Sequence, residues 1–149
     1  MIRAFKVSDT EDIMAIWLDA TKKAHFFIDE DYWVKAAQVV RKKYIPFAET
    51  YVYEADDKIL GFISLLSGDT IGGLFVDTKH HRRGIGKALV DYAKCKYDFL
   101  SVSVFKKNMN GREFYKKEGF VFDYEQNDIN TGEVEHVCNW DKDSKVECE

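Results

Sequence analysis

Apolar side chains recur at Ile13, Ile16, Trp17 and Ala20, the three-and-four spacing of a helix that buries one face. Ser8-Asp9-Thr10-Glu11, just before them, has the form of a capping box, with Ser8 and Glu11 satisfying free N–H groups at the helix start. A second helical stretch puts Trp33, Ala36, Ala37, Val40 and Tyr44 on one face, with Asp29 as its cap and Pro46 marking its end. His25-Phe26-Phe27-Ile28 interrupts the pattern between the two. The period then changes. Thr50–Glu54, Ile59–Leu66 and Thr70–Asp77 read as strands joined by short turns at Ala55-Asp56-Asp57-Lys58 and Ser67-Gly68-Asp69, an antiparallel meander. Ile2–Phe5 is a short first strand. Helical spacing returns with Ile85, Ala88, Leu89, Tyr92 and Ala93, followed by a strand at Phe99–Phe105. A short helix from Asn108 to Glu118 ends at Gly119, and Phe120–Glu125 and Glu133–Trp140 form a last strand pair. The order β-α-α-β-β-β-α-β-α-β-β predicts an α+β domain: a mixed, mostly antiparallel twisted sheet of about seven strands flanked by about four helices.

Composition narrows the class. With 149 residues, 46% hydrophobic and 32% charged, the chain is expected to form one globular domain over 1–149, with 142–149 a frayed charged tail. Its apolar runs are too short for a bilayer, and the N-terminus lacks a signal-peptide layout, so no membrane partner is expected. Cys95, Cys138 and Cys148 are an odd number with no C-x-x-C spacing, and His80-His81 are poorly spaced as metal ligands. Neither disulfides nor a metal are expected, and a reducing cytoplasm fits. The net charge of −4 makes a nucleic-acid partner unlikely.

The chemistry concentrates in Leu74-Phe75-Val76-Asp77-Thr78-Lys79-His80-His81-Arg82-Arg83-Gly84-Ile85-Gly86-Lys87-Ala88-Leu89, a strand running into a basic glycine loop that opens a helix. A helix N-terminus offers unpaired N–H groups and partial positive charge, which together attract phosphate. Gly84 and Gly86 allow close backbone approach, and Arg82, Arg83 and Lys87 add charge. A Walker A loop would need glycine at His81 and Ser or Thr at Ala88. A dinucleotide fingerprint would need glycine at Leu89. What survives is a pyrophosphate loop of the form x-x-G-x-G, which resembles the acetyl-CoA loop of the GNAT superfamily of N-acetyltransferases, with His81 where that family usually has Gln or Arg. A second block, Asn108-Met109-Asn110-Gly111-Arg112-Glu113-Phe114-Tyr115-Lys116-Lys117-Glu118-Gly119-Phe120, resembles that family's N-x-x-A-x-x-F-Y-x-x-x-G-F signature, with Gly111 for alanine. Residues from Trp17 through His25-Phe26-Phe27-Ile28 to Tyr32-Trp33 resemble a bacterial subgroup that includes peptidyl-lysine N-acetyltransferases.

The resemblance implies a GNAT fold and transfer of acetyl from acetyl-CoA to a primary amine by direct attack. It implies that Leu74, Phe75 and Val76 pair with the pantetheine arm, that His81, Arg82, Arg83, Gly84, Ile85, Gly86 and Lys87 hold the pyrophosphate, and that Asn108 binds the arm or caps its helix. Tyr115 becomes the general acid, and His25 and Phe26 become substrate residues. Protein lysine is the first acceptor, a small amine the second, and a non-catalytic acetyl-CoA-binding regulator the rival class. A homodimer is compatible with the family. Gly72-Gly73 suggests a bulge beside the cofactor strand. The proton of the attacking ammonium needs an acceptor, and His25, Glu54, Asp69, Asp77 and Glu125 stand as candidates.

Overall fold

The computed structural model describes residues 1–81 and 83–143. Among them run β1 (Ile2–Ala4), α1 (Thr10–Ala24), α2 (Glu30–Val39), β2 (Glu49–Ala55), β3 (Lys58–Leu66), β4 (Thr70–Val76), α3 (Ile85–Lys96), β5 (Phe99–Phe105), α4 (Met109–Lys117), β6 (Val121–Asn127) and β7 (Val134–Asp141). The seven strands form one sheet in the order β1-β2-β3-β4-β5-β7-β6, antiparallel throughout except where β4 meets β5. The expected α+β order and the meander β2-β3-β4 are present. Its two turns place Asp56 and Asp57, then Ser67 and Gly68, at positive φ, the geometry of tight hairpins. The tail expected to fray lies, from residue 144, outside the described residues.

Strand alternation divides the apolar side chains between two layers. Tyr51, Ile63, Leu65, Leu100, Val102, Val104 and Trp140 face α3 and α4, where Leu89, Val90, Ala93 and Tyr115 meet them. Val52 and Phe62 face the other way, under Ile13, Ile16 and Trp17 of α1 and Trp33 of α2. On the first layer, Glu49 accepts from the hydroxyls of both Tyr51 and Tyr97, tying the start of β2 to the end of α3.

Two local expectations are corrected. Ser8 and Glu11 do not form the capping box. Asp9 accepts the Lys6 N–H at 2.8 Å and pairs with Arg3 at 2.8 Å, while Glu11 pairs with Arg41 on the surface. The Arg3 guanidinium, 3.0 Å from Glu54 as well, draws that carboxylate away from any other use. Tyr44 does not continue the inward face of α2. The helix widens into a π turn over Val40–Tyr44, which rotates Tyr44 outward to 49% exposure while Ile45 takes the buried place.

Candidate active site

The site begins where β4 leaves β5. In the β3–β4 pair Ser64 faces Gly73 and Leu65 faces Ile71, so Gly72 is an extra residue in β4, a bulge at the position the two glycines suggested. A Cβ on Gly72 would stand 2.6 Å from Leu66 Cδ1, and one on Gly73 2.9 Å from Phe75 Cε2. The parallel contact of β4 with β5 is confined to Thr70–Ser101 and Ile71–Val102. Beyond them β4 runs on to Val76 and β5 to Phe105, so a wedge opens between the strands. On the side facing β5, no strand among the described residues pairs with β4 along Gly73-Leu74-Phe75-Val76. Those backbone groups can receive an extended amide-bearing ligand as an added half-strand.

At the end of β4 the chain turns, tied to α1. Asp77 accepts the Lys79 N–H at 3.0 Å, and the Thr78 hydroxyl donates to Asp19 at 2.8 Å. His81 turns its ring back, with Nε2 3.1 Å from the Val76 carbonyl, so the departure from Gln or Arg serves to hold the loop against β4. Arg82 lies outside the described residues, and Arg83 is exposed. Gly84 precedes α3 with φ 79°, a left-handed conformation that costs other residues about 1–2 kcal/mol. No side chain caps α3, whereas Asp29 caps α2 and Asn108 caps α4. Ala88 N–H bonds the Gly84 carbonyl, so the N–H groups of Ile85, Gly86 and Lys87 form the open first turn, with the positive end of the helix dipole behind them.

The two loop glycines serve different ends. A Cβ on Gly84 would meet nothing within 4 Å, and the backbone conformation alone demands it. A Cβ on Gly86 would stand 3.3 Å from the Phe114 ring and 3.7 Å from Val76, so Gly86 lets α4 close onto α3 and β4. Lys87 carries ion pairs of its own. Its ammonium is 2.9 Å from Asp91 and 3.6 Å from Glu118, and Asp91 in the main holds it charged above the usual lysine range. Those pairs brace α3 against the end of α4, and the Lys87 backbone N–H faces the open first turn.

Tyr115 lies on the buried face of α4, 8% exposed, between the rings of Phe114 and Phe120 at 5.0 and 5.3 Å. Its hydroxyl has no hydrogen-bond partner among the described residues. Burial, and after it the Cys138 thiol, holds the phenol above its ordinary pKa, so it stays protonated. Cys138 faces Val102 across β7 and β5, the last β5 position region before the wedge opens.

Asn108 closes the site from the α4 side. Its Oδ1 accepts the Gly111 N–H at 3.0 Å, and a Cβ on Gly111 would stand 2.6 Å from its Nδ2, which accounts for glycine in place of alanine. With Oδ1 so engaged, Nδ2 points to His25 Nε2 at 3.4 Å, and His25 Nδ1 lies 2.8 Å from the Thr21 hydroxyl. An amide nitrogen only donates, so Nε2 accepts and Nδ1 carries the proton. The ring sits among Phe27, Trp33 and Phe105, at 5.9, 5.3 and 4.9 Å, and burial pushes its pKa down to about 4. Unfolded, it titrates near 6.5, so the unfolded chain binds the proton more tightly. The stability that neutral His25 contributes is complete above pH 6.5 and is lost as pH falls towards 4, by up to about 3 kcal/mol. In melts from pH 7 to 4, a His25→Gln variant should show a flatter decline in Tm than wild type; parallel curves would refute the assignment.

Phe26, 79% exposed, lines an open cavity of about 600 Å³ together with Phe27, Lys106, Lys107, Met109 and Arg112, beside the start of α4. Three other candidate proton acceptors have partners: Glu54 has Arg3, Asp77 the Lys79 N–H of its turn, and Glu125 has Lys106 and His136 at 3.2 and 2.8 Å. Asp69 sits in the β3–β4 turn beside Thr70. A group the motifs do not mark is Glu135 on β7, which faces Phe105 across the sheet and accepts from Gln126 at 3.0 Å. Burial chiefly, with Asp128, raises its pKa above the carboxylate range.

Known proteins carry the same architecture. A family model described as an acetyltransferase (GNAT) domain matches residues 46–122. Peptidyl-lysine N-acetyltransferase YiaC of Escherichia coli is 38% identical over 120 residues, 80% of this chain and 82% of that protein. Peptidyl-lysine N-acetyltransferase YjaB of Escherichia coli is 32% identical over 80% of each. The solution structure of apo YjaB superposes with a TM-score of 0.83 at 27% identity, covering 94% of this chain and 96% of that one. An aminoglycoside 6'-N-acetyltransferase complexed with coenzyme A, 14% identical, shares the fold at a TM-score of 0.69 over 95% and 97% of the two chains. The parted β4–β5 pair, the uncapped glycine-led helix and these matches agree: the chain belongs to the GNAT family and is an acetyl-CoA-dependent N-acetyltransferase.

Proposed function

We propose that this enzyme acetylates lysine side chains of proteins, with Tyr115 as the general acid. The observation that carries the mechanism is the Tyr115 hydroxyl, carried on a ring packed in the layer beneath the wedge and without a partner among the described residues. A phenol hydroxyl with no partner in the protein is free to donate to a group that arrives later. The leaving thiolate of coenzyme A is such a group. In this reading Leu74, Phe75 and Val76 pair through their backbones with the pantetheine arm. The loop from His81 to Lys87 receives the pyrophosphate, chiefly on the N–H groups of Ile85, Gly86 and Lys87. Asn108, fixed by Gly111 and His25, lines the arm's other side.

The amine attacks the thioester carbonyl, the C–S bond breaks, and the Tyr115 proton passes to sulfur. Starting from aqueous values, a thiol near ~8.5 and a tyrosine near ~10 make that transfer uphill by only ~2 kcal/mol. Lysine as acceptor is supported by the two relatives, whose names give peptidyl-lysine as their substrate. Free cysteines at 95 and 138 suit the reducing cytoplasm in which such acceptors are found.

Titrating acetyl-CoA calorimetrically and then assaying free thiol across lysine peptides and small amines tests the reading. Binding is expected, with thiol release on lysine peptides. Release confined to a small amine would replace the acceptor. Binding without release on any amine would leave only a regulator, and absence of binding would overturn the site.

A further inference from the structure

We propose that Glu135 receives the acceptor's ammonium and takes its proton before attack. The assignment rests on the lysine reading above and on the placement of Glu135 relative to the parted strands. Phe105 and Glu135 are direct cross-strand partners, so their side chains leave the sheet on one face. Phe105 packs in the α1–α2 layer, against His25, Phe27 and Trp33. Tyr115 and Cys138 belong to the opposite layer. Tyr115 and Glu135 therefore lie on opposite faces of the sheet, with Glu135 one strand beyond the β5 side of the wedge, so an acceptor that crosses Phe105 to reach the thioester passes the carboxylate.

The electrostatic surroundings separate Glu135 from its neighbours. Lys106 pairs with Glu125, and Lys107 pairs with Glu133 at 3.2 Å. Glu135 has no cationic partner among the described residues. Gln126 Nε2 holds one of its oxygens at 3.0 Å. Asp128, anchored by the Thr131 N–H and hydroxyl at 3.2 and 2.7 Å, adds negative potential from the β6–β7 hairpin. Tyr32 approaches from α2, its pKa raised first by burial and then by Asp128, Tyr44 and Glu135. A partly buried carboxylate facing an amide, a phenol and another carboxylate lacks one thing, a cation, and a lysine ammonium supplies it. The proton count closes. The ammonium gives one proton to Glu135, and the neutral amine forms the C–N bond. The nitrogen loses a second proton to solvent as the C–S bond breaks, the thiolate takes the proton of Tyr115, which is restored from solvent, and Glu135 gives its proton to solvent, leaving one proton released per turnover.

Glu135→Gln tests this, because the amide keeps the oxygen that Gln126 bonds. Acetyl-CoA affinity and Tm should be unchanged. At pH 7, kcat/KM for a lysine peptide should fall about a hundredfold, the lower end of what a positioned base supplies, because water reaches an amine at the surface. The same peptide bearing an aminooxy group in place of the lysine amine is already neutral at pH 7, and should lose less than about threefold. Equal loss on both acceptors, or near wild-type turnover of the lysine peptide, would overturn the assignment. Asp128→Asn gives a second test that leaves Glu135 in place: removing the charge should move the acidic limb of kcat/KM to lower pH, and an unmoved limb counts against Glu135. If wild type acetylates no lysine peptide, the lysine reading fails first and this inference with it. If wild type and Glu135→Gln do so equally, only the role of Glu135 falls.

Discussion

Replacing Tyr115 by Phe should lower kcat by about 10²–10⁴-fold while acetyl-CoA affinity and Tm stay close to wild type. The two halves of that expectation come from one fact, that the hydroxyl has no partner among the described residues. Deleting a bonded hydroxyl from a buried layer would strand its partner and cost about 1–3 kcal/mol, whereas here nothing is stranded. The ring contacts with Phe114 and Phe120 survive in phenylalanine. Only a group that pairs with the hydroxyl during the reaction is affected. Burial raises the phenol's pKa, which by itself makes it a poorer acid. The same dry surroundings disfavour the thiolate it must protonate, so the gap between the two stays near the aqueous ~1.5 units. A second consequence follows for pH. The alkaline limb of kcat should show no fall from tyrosine ionisation up to about pH 10, because the folded phenol titrates above its ordinary value. Undiminished turnover in Tyr115→Phe would remove the residue from the reaction, and a large drop in Tm would make its role structural.

The element order and the glycine loop that opens α3 were legible because both are local. A period of two or of three-to-four residues decides strand against helix within a short window, and the glycine loop and the Phe114-Tyr115 block each fit on one element. Local reading failed where a competing contact was equally local but invisible. Asp9 outcompetes Ser8 because Arg3, one strand away, also needs a carboxylate. Tyr44 continues a helical pattern that the π turn breaks. What the sequence withheld entirely is pairing across distance. His25 and Asn108 are 83 residues apart, and each alone reads as packing or a cap. Glu135 belongs to a strand whose alternation gives no hint of chemistry until its register with Phe105 places it one strand from the wedge.

Leu89→Ala should cost about 2–5 kcal/mol of stability, in the upper half of that range. Leu89 is 0% exposed on α3, inside the layer formed by Ile63, Leu65, Leu100 and Val102. The cost of such a truncation depends on how far neighbours can collapse into the space. Here one neighbour is Gly61 on β3. A Cβ there would already stand 3.0 Å from the Phe75 carbonyl, 3.2 Å from Ile85 and 3.4 Å from Leu89 Cδ1. Gly61 has no side chain to move into the gap, and its backbone is held in the ladder with Tyr53 and Val76. The cavity therefore persists, and with it the lost dispersion contacts. For a chain of this size about 2–4 °C of Tm accompanies each kcal/mol, so a fall of roughly 8–15 °C is expected in calorimetry. Cys95→Ala, at an exposed position of the same helix, should stay within about 0.5 kcal/mol of wild type. Because α3 also carries the open first turn, the variant offers a check on the site itself. Acetyl-CoA at about a hundred times its Kd should return roughly 2.7 kcal/mol to both proteins if the turn keeps its shape. A smaller return in Leu89→Ala would mean that the cavity lets α3 shift on the sheet and that packing beneath Leu89 sets the aim of the Ile85, Gly86 and Lys87 N–H groups. A fall in Tm under about 3 °C would show instead that the sheet closes the gap and that Gly61 is no obstacle to it.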